Sequence, residues 1–208
     1  MAWHVKQGGR LPESNPNVII IAGPNGAGKS STAPNLLGDA LKEVSFINAD
    51  AIARGLSAFN PEGVAYAAGR IMLERIRTLA AQRVSFGFET TLAARSYAHQ
   101  IDEWKAAGYE VNLLYLWVRS PETACERVKE RARLGGHTVD EQTIRVRWTR
   151  SAHNLIHLYV PRCTRWMVYD NSASGEPALV ARGQLSHPPE VLDRAAWDMI
   201  LGIASKPQ

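Results

Sequence analysis

The sequence predicts an α/β protein with a mostly parallel central sheet of about five to six strands, flanked by helices. Three observations predict it. Short apolar, β-branched runs alternate with longer segments of helical pattern, the sequence form of linked βαβ units. The first apolar run, Val18 to Ala22, passes directly into a glycine-rich loop and then a helical stretch. Polar and acidic residues recur just after the apolar runs, at the strand ends where open α/β sheets bind ligands. A chain of 208 residues is long enough for one such core, and a single domain is expected over 18–208.

Residues 1–17 are polar and rich in Gly and Pro, and read as a flexible leader in which Trp3 could dock. Val18-Ile19-Ile20-Ile21-Ala22, bounded by Pro16 and Gly23, reads as a buried central strand. In the next helix Pro34 lies past the first turn, where proline removes a helix hydrogen bond, so a kinked or late-starting helix is expected. Val44 to Asn48 reads as the second strand, followed by a helix from about Pro61 to Gln82, with Pro61 and Glu62 suited to a first turn. Val84 to Phe88 is the third strand, and Arg95 to Ala107 a helix stopped by Gly108. Val111 to Val118 is the fourth strand, apolar as a buried parallel strand should be. Ser120 suits a helix cap with Pro121 at the first position, and that helix runs to about Leu134. Gly135-Gly136 breaks it before a second helix, about Asp140 to Leu158. Arg165 to Asp170 is the fifth strand, Ala178 to Gly183 a short sixth, and Pro189 to Ile203 a final helix.

Composition sets bounds. An apolar content of 45% and a charged content of 21% are ordinary for a globular protein. The two cysteines, Cys125 and Cys163, make neither a disulfide framework nor a C-x-x-C pair, so both are expected reduced, in the cytoplasm. The N-terminal stretch has no apolar core for a signal peptide, and no window approaches a membrane span. The net charge of +4 permits nucleic-acid binding without requiring it. Neither nucleic acid nor a membrane is an expected partner.

Gly23-Pro24-Asn25-Gly26-Ala27-Gly28-Lys29-Ser30 fits G-x-x-x-x-G-K-[ST], the P-loop. Its glycines open backbone angles closed to other residues, so the loop can curl around an anion. Its N–H groups form a nest for phosphate oxygens, and the next helix aims its positive dipole end at the same place. Lys29 brings a full charge to the β- and γ-phosphates, and Ser30 a hydroxyl to Mg²⁺. The expected nucleotide contacts are Gly23, Asn25, Gly26, Ala27, Gly28, Lys29, Ser30 and Ser31, with ATP and Mg²⁺ as cofactors and Ser30 as metal ligand.

The P-loop, Asp50, Glu89-Thr90-Thr91 and the Arg119-Ser120 turn all fall at predicted strand ends. That clustering suits a kinase, which needs a carboxylate turned toward an accepting hydroxyl. Asp50 and Glu89 are the candidates. Each has a plainer alternative: Asp50 as a helix cap, Glu89 as a solvated loop carboxylate, Thr90 and Thr91 as caps of the next helix. A reading of Glu89 beside Mg²⁺ also stays open. Arg127, Lys129, Arg131 and Arg133, then Gly135-Gly136-His137, then Arg145, Arg147 and Arg150, suggest a hinged, arginine-rich lid over about 127–150. Glu126 and Glu130 are interleaved with the first group, so part of this run is solvated surface and two or three arginines are expected to act. His137 has no second ligand spaced to join it, and Trp117, Trp148, Trp166 and Trp197 are read as packing residues.

Taken together, GPNGAGKSS, Asn48-Ala49-Asp50, Phe88-Glu89-Thr90-Thr91-Leu92, Arg131-x-x-x-Gly135-Gly136-His137-x-Val139 and Ile144-x-x-Arg147-Trp148-x-Arg150-Ser151-x-x-Asn154-Leu155 resemble the zeta toxin family. The resemblance spans roughly Val18 to Asn171. That family consists of P-loop kinases. Its best studied members phosphorylate the 3′-hydroxyl of the sugar in UDP-N-acetylglucosamine, and many are restrained by an antitoxin. The resemblance implies that Lys29 and Ser30 hold ATP and Mg²⁺ and that Asp50 accepts the sugar-hydroxyl proton. It also implies that Glu89 and Thr91, with Thr90 between them, contact substrate. Arg131, Arg147 and Arg150 match lid arginines on the phosphates. One departure is that Ala93 and Ala94 follow Leu92 where sugar-phosphorylating members often have an arginine; here the first is Arg95. The implied activity is a nucleotide-sugar kinase. A kinase for another small metabolite and a nucleic-acid-associated NTPase are the alternatives.

Overall fold

The computed structural model describes residues 15–60, 62–136 and 138–206. Most of the predicted leader, with Trp3, and also Pro61 and His137, lie outside the described residues. The leader's last residue, Asn17, belongs to the first strand.

Among the described residues seven strands form one sheet in the order β2-β3-β1-β4-β5-β6-β7. They are β1 (Asn17–Ala22), β2 (Ser45–Ile47), β3 (Phe86–Thr90), β4 (Glu110–Trp117), β5 (Arg165–Asp170), β6 (Ala178–Gln184) and β7 (Glu190–Val191). The first five pair in parallel, and β6 and β7 add on antiparallel. The helices are α1 (Lys29–Leu37), α2 (Ala49–Leu56), α3 (Ala65–Ala81), α4 (Ser96–Ala106), α5 (Pro121–Arg133), α6 (Glu141–Asn154) and α7 (Arg194–Ala204).

β1 is central because its side chains are buried on both faces. Alternation sends Ile19 and Ile21 toward α1, where they meet Ala33, Leu37, Leu114 and Leu116. Val18 and Ile20 face the opposite layer, with Met72 and Ile76 of α3 and Ile101 and Trp104 of α4. A strand covered on both sides reads as a continuous apolar run, which is why this one was conspicuous. Trp117, Trp148, Trp166 and Trp197 are all buried, and the last two stack with ring centroids 5.7 Å apart. Cys125 and Cys163 are buried and free, and burial pushes the Cys163 thiol up to about 12. No described helix is long and apolar enough to cross a membrane.

The structure corrects several boundaries. The expected final helix from Pro189 begins only at Arg194, because Asp193 supplies the cap, accepting from the Ala196 N–H at 3.0 Å. The residues before it, Glu190–Val191, pair with β6 instead and make the seventh strand. α1 does not start late: it begins at Lys29, directly after the loop, and runs through Pro34 to stop at Leu37. Proline leaves one bond unmade, the one to the Ser30 carbonyl in the first turn, and the helix ends about one turn later. The helix expected from Pro61 starts at Ala65, after a 3₁₀ turn at Glu62–Val64. The Gly135-Gly136 break is a Schellman cap: Gly136 N–H donates to the Arg131 carbonyl at 2.9 Å and Gly135 N–H to that of Ala132 at 3.0 Å. After α6 the chain continues as a π-helical turn, Leu155–Tyr159, with Val160 N–H bonded to the Leu155 carbonyl at 2.8 Å.

Candidate active site

Parallel pairing places the C-terminal ends of β1 and β3 side by side, with Ile21 opposite Glu89 and Ala22 opposite Thr90. The P-loop leaves β1 at this point. The strand order reverses here too, since β3 and β4 flank β1, which makes it the switch point where open sheets bind ligands.

The loop's shape is held from outside. Gly26 and Gly28 have φ of +77° and +79°, and a Cβ on Gly26 would lie 2.4 Å from the Ala124 carbonyl oxygen on α5. Asn171, just past β5, donates to the Ala27 carbonyl at 2.9 Å and to Thr32 Oγ1 at 3.2 Å. Arg127 of α5 in turn holds the Asn171 and Ser172 carbonyls at 2.7 and 2.9 Å. Neither Asn171 nor Arg127 was singled out for this role from sequence. A polar pair just after a strand was the available signal. Ser31 turns its hydroxyl back to the Gly28 carbonyl, and Gly23 packs against the Leu116 carbonyl of β4.

Inside the loop, Lys29 is buried, and its ammonium donates to the Pro24 carbonyl at 3.1 Å. Glu89 Oε1 lies 3.7 Å from it. The other Glu89 oxygen accepts from Ser30 Oγ at 2.8 Å and from Asn48 Nδ2 at 2.9 Å. Glu89 is therefore not a solvated loop carboxylate. It is a strand residue, with its side chain 13% exposed, shared among three neighbours. Burial pulls the Lys29 ammonium below its ordinary range, Glu89 and Asp50 pull it back up, and Arg131 adds to the lowering. Lys29, Ser30 and Glu89 thus meet in one place, and the charges of Asp50 and Arg131 act on Lys29 there.

Asp50 is not the helix cap. Asn48 caps α2, accepting from Ala51 N–H at 3.0 Å, and Asp50 sits in the first turn. Thr90 and Thr91 do not cap α4, whose first turn has no side-chain cap. Their hydroxyls accept from the N–H groups of Leu92 and Ala93 and shape the loop after β3. Leu92 in that loop is buried with φ of +62°, a conformation costly for a leucine. Asn154 and Tyr159, on α6 and the π-helical turn, clamp it by donating to the Leu92 and Ala94 carbonyls at 2.7 and 3.0 Å.

The arginines separate. Arg147 reaches the P-loop, donating to Asn25 Oδ1 at 3.3 Å. Arg150, one turn further along α6, is exposed. Arg145 bonds Glu122 and Glu141, Lys129 bonds Glu141, and Arg133 bonds Glu130, all on the surface. Arg119 at the end of β4 is tied to Asp170 and Asp193.

A cation would find hard oxygen donors at Ser30 and Glu89, with Asp50 near. No described group of three or more His, Cys, Asp and Glu could cage a metal without other ligands. That donor set fits Mg²⁺, which keeps most of its waters and shares phosphate oxygens.

Comparison with known proteins bears on the family and the fold. The sequence model of the family described as Zeta toxin matches residues 3–172. An uncharacterized protein of Haemophilus influenzae is 31% identical over 130 residues, covering 62% of this chain and 91% of that one. The AvrRxo1-ORF1:AvrRxo1-ORF2 complex, solved with sulphate ions, superposes with a TM-score of 0.77 at 15% identity over 93% of this chain. Its form with ATP gives 0.75 at 15% identity over 94%. This chain spans 66% of the length of those AvrRxo1 chains. The PezAT toxin–antitoxin system of Streptococcus pneumoniae gives a TM-score of 0.59 at 13% identity, over 91% of this chain and 86% of that one.

Proposed function

The chain belongs to the zeta toxin family of P-loop kinases, and we propose that it transfers the γ-phosphoryl group of ATP to a hydroxyl of a nucleotide sugar, UDP-N-acetylglucosamine first among them. The observation that carries the reading is the meeting of Lys29, Ser30 and Glu89 beside Asp50, across the junction of β1 and β3. An ammonium, a hydroxyl and two carboxylates are the parts an in-line phosphoryl transfer needs from a protein. The ATP bound in an AvrRxo1 structure of the same fold supports ATP as donor.

Bound Mg²⁺·ATP supplies the phosphoryl group and the cation that offsets its charge. Lys29, held dehydrated against Glu89 and the Pro24 carbonyl, presents its charge to the phosphates. Ser30 and Glu89 supply oxygens on the metal side. Asp50, at the start of α2, orients the acceptor hydroxyl and takes its proton. Glu89 and Thr90 at the end of β3, and Thr91 just after it, grip the acceptor. Arg131 and Arg147 spread positive charge over the transferred group, and Arg150, exposed one turn further along α6, joins them on the phosphates. A small antitoxin protein is the proposed partner, on the analogy of the PezAT system. The cytoplasm is the proposed compartment.

The test is to incubate the chain with ATP, Mg²⁺ and a panel of nucleotide sugars, free sugars and nucleosides, and to read products by mass spectrometry. A phosphorylated nucleotide sugar, absent with Asp50→Asn, is expected. Phosphorylation confined to a free sugar or nucleoside would move the acceptor class, and no transfer to any acceptor would end the kinase reading.

A further inference from the structure

We infer that Asn48 is a positioning residue that ties the helix carrying Asp50 to the phosphate cradle. Its catalytic consequence rests on the phosphotransfer reading above, but the tether does not. Asn48 sits between β2 and α2, and its one amide makes two bonds in opposite directions. Oδ1 accepts from the Ala51 N–H at 3.0 Å, capping α2, and Nδ2 donates to Glu89 Oε2 at 2.9 Å. That same carboxylate oxygen accepts from Ser30 Oγ at 2.8 Å, and its twin lies 3.7 Å from Lys29 Nζ. A continuous path of polar contacts therefore runs from the start of α2 through Asn48 and Glu89 to the P-loop.

The orientation of the amide is dictated by chemistry. A backbone N–H only donates and an ionised carboxylate only accepts, so oxygen faces Ala51 and nitrogen faces Glu89. Among good helix caps, asparagine alone fills this position. Aspartate caps equally well but would set a second carboxylate against Glu89. Serine caps but is too short to bridge the gap. The need for a tether follows from the surroundings. β2 has three residues and pairs only with β3 among the described residues, and α2 has eight. To the packing of α2 on α3 through Ala49 and Ile52, the Asn48 bonds add a fixed point at the first turn, where Asp50 sits. Asn48 does this two residues away, and it registers the acceptor side of the site against the donor side.

The experiment compares Asn48→Asp, Asn48→Ser and the parent chain. Three quantities are measured: the melting temperature, hydrogen exchange of the α2 backbone amides in ligand-free protein, and kcat with KM for ATP. N48D and N48S both keep the cap, so their melting temperatures should stay near the parent's. Both lose the bond to Glu89, so the amides of α2 should exchange several-fold faster than the parent's while those of α3 do not change. In N48D kcat should fall about 100-fold and in N48S about 10-fold, while KM for ATP changes little in either. Exchange of α2 unchanged in both variants overturns the inference, as does a parental kcat in N48D. Losses in both variants that follow melting temperature alone overturn it too. If the parent itself transfers no phosphoryl group, the kinase reading fails separately, and the exchange measurement decides the tether.

Discussion

The phosphate cradle and the arginine-bearing pair α5 and α6 hold similar charges in opposite ways. In the cradle, Lys29 is 8% exposed, and Glu89 answers three neighbours at once. On α5 and α6, Arg145, Lys129 and Arg133 make carboxylate pairs with side chains 42–79% exposed. Removing one member of a buried set leaves the others dehydrated and unmatched. Exposed pairs of the second kind contribute ~0–1 kcal/mol at most. Arg127 lies on α5 with the second group yet works with the first: its partners are backbone carbonyls of the segment that props the P-loop. A basic residue's part in this protein is thus set by what it holds, and position along a helix is a poor guide to that.

Substitutions in the two regions should therefore differ in size of effect. Asp50→Asn should have the largest effect, lowering single-turnover transfer by roughly 10²–10⁴-fold while ATP binding persists. Activity equal to the parent's would remove Asp50 from the chemistry. Lys29→Ala should lower transfer by about 10²–10³-fold and weaken nucleotide binding as well, measured by calorimetry. Gly26→Ala forces a side chain at φ of +77° into the Ala124 carbonyl. It should destabilise the fold by ~1–3 kcal/mol in a denaturant titration. Arg127→Ala should remove ~1–2 kcal/mol and raise KM for ATP, since the Asn171 prop loosens with it. Arg145→Ala is the matched control on the neighbouring helix: melting temperature and transfer should both stay at parental values. A tenfold loss of transfer in that variant would erase the distinction between the two regions.

Much of the fold was legible because it is local. The β1 run, the P-loop and the Ser120-Pro121 helix start each carry their signal within a few residues, and the structure places each where it was read. β7 was not legible, since a two-residue strand has no periodicity and exists only through its pairing with β6. The same limit applied at the site. A cap role for Asp50 stayed open beside the catalytic one because aspartate is a good cap, and nothing nearby in sequence showed that Asn48 already filled that place. The strain at Leu92 and its clamp from Asn154 join residues 62 positions apart. The seven basic side chains between 127 and 150 looked alike in a row. Only their partners, carboxylates for some and loop carbonyls for Arg127, tell them apart.

The class of the sheet, the P-loop and the acidic residues near the strand ends follow from residue order, since backbone preference and hydrophobic period act over short spans. Tertiary structure alone decided that Glu89 closes on Ser30, 59 residues away, and that Asn48 reaches across to it. The physical reason is register. Parallel pairing of β3 against β1 and β2 brings three strand ends together, and only then can one carboxylate be shared by a lysine, a serine and an asparagine.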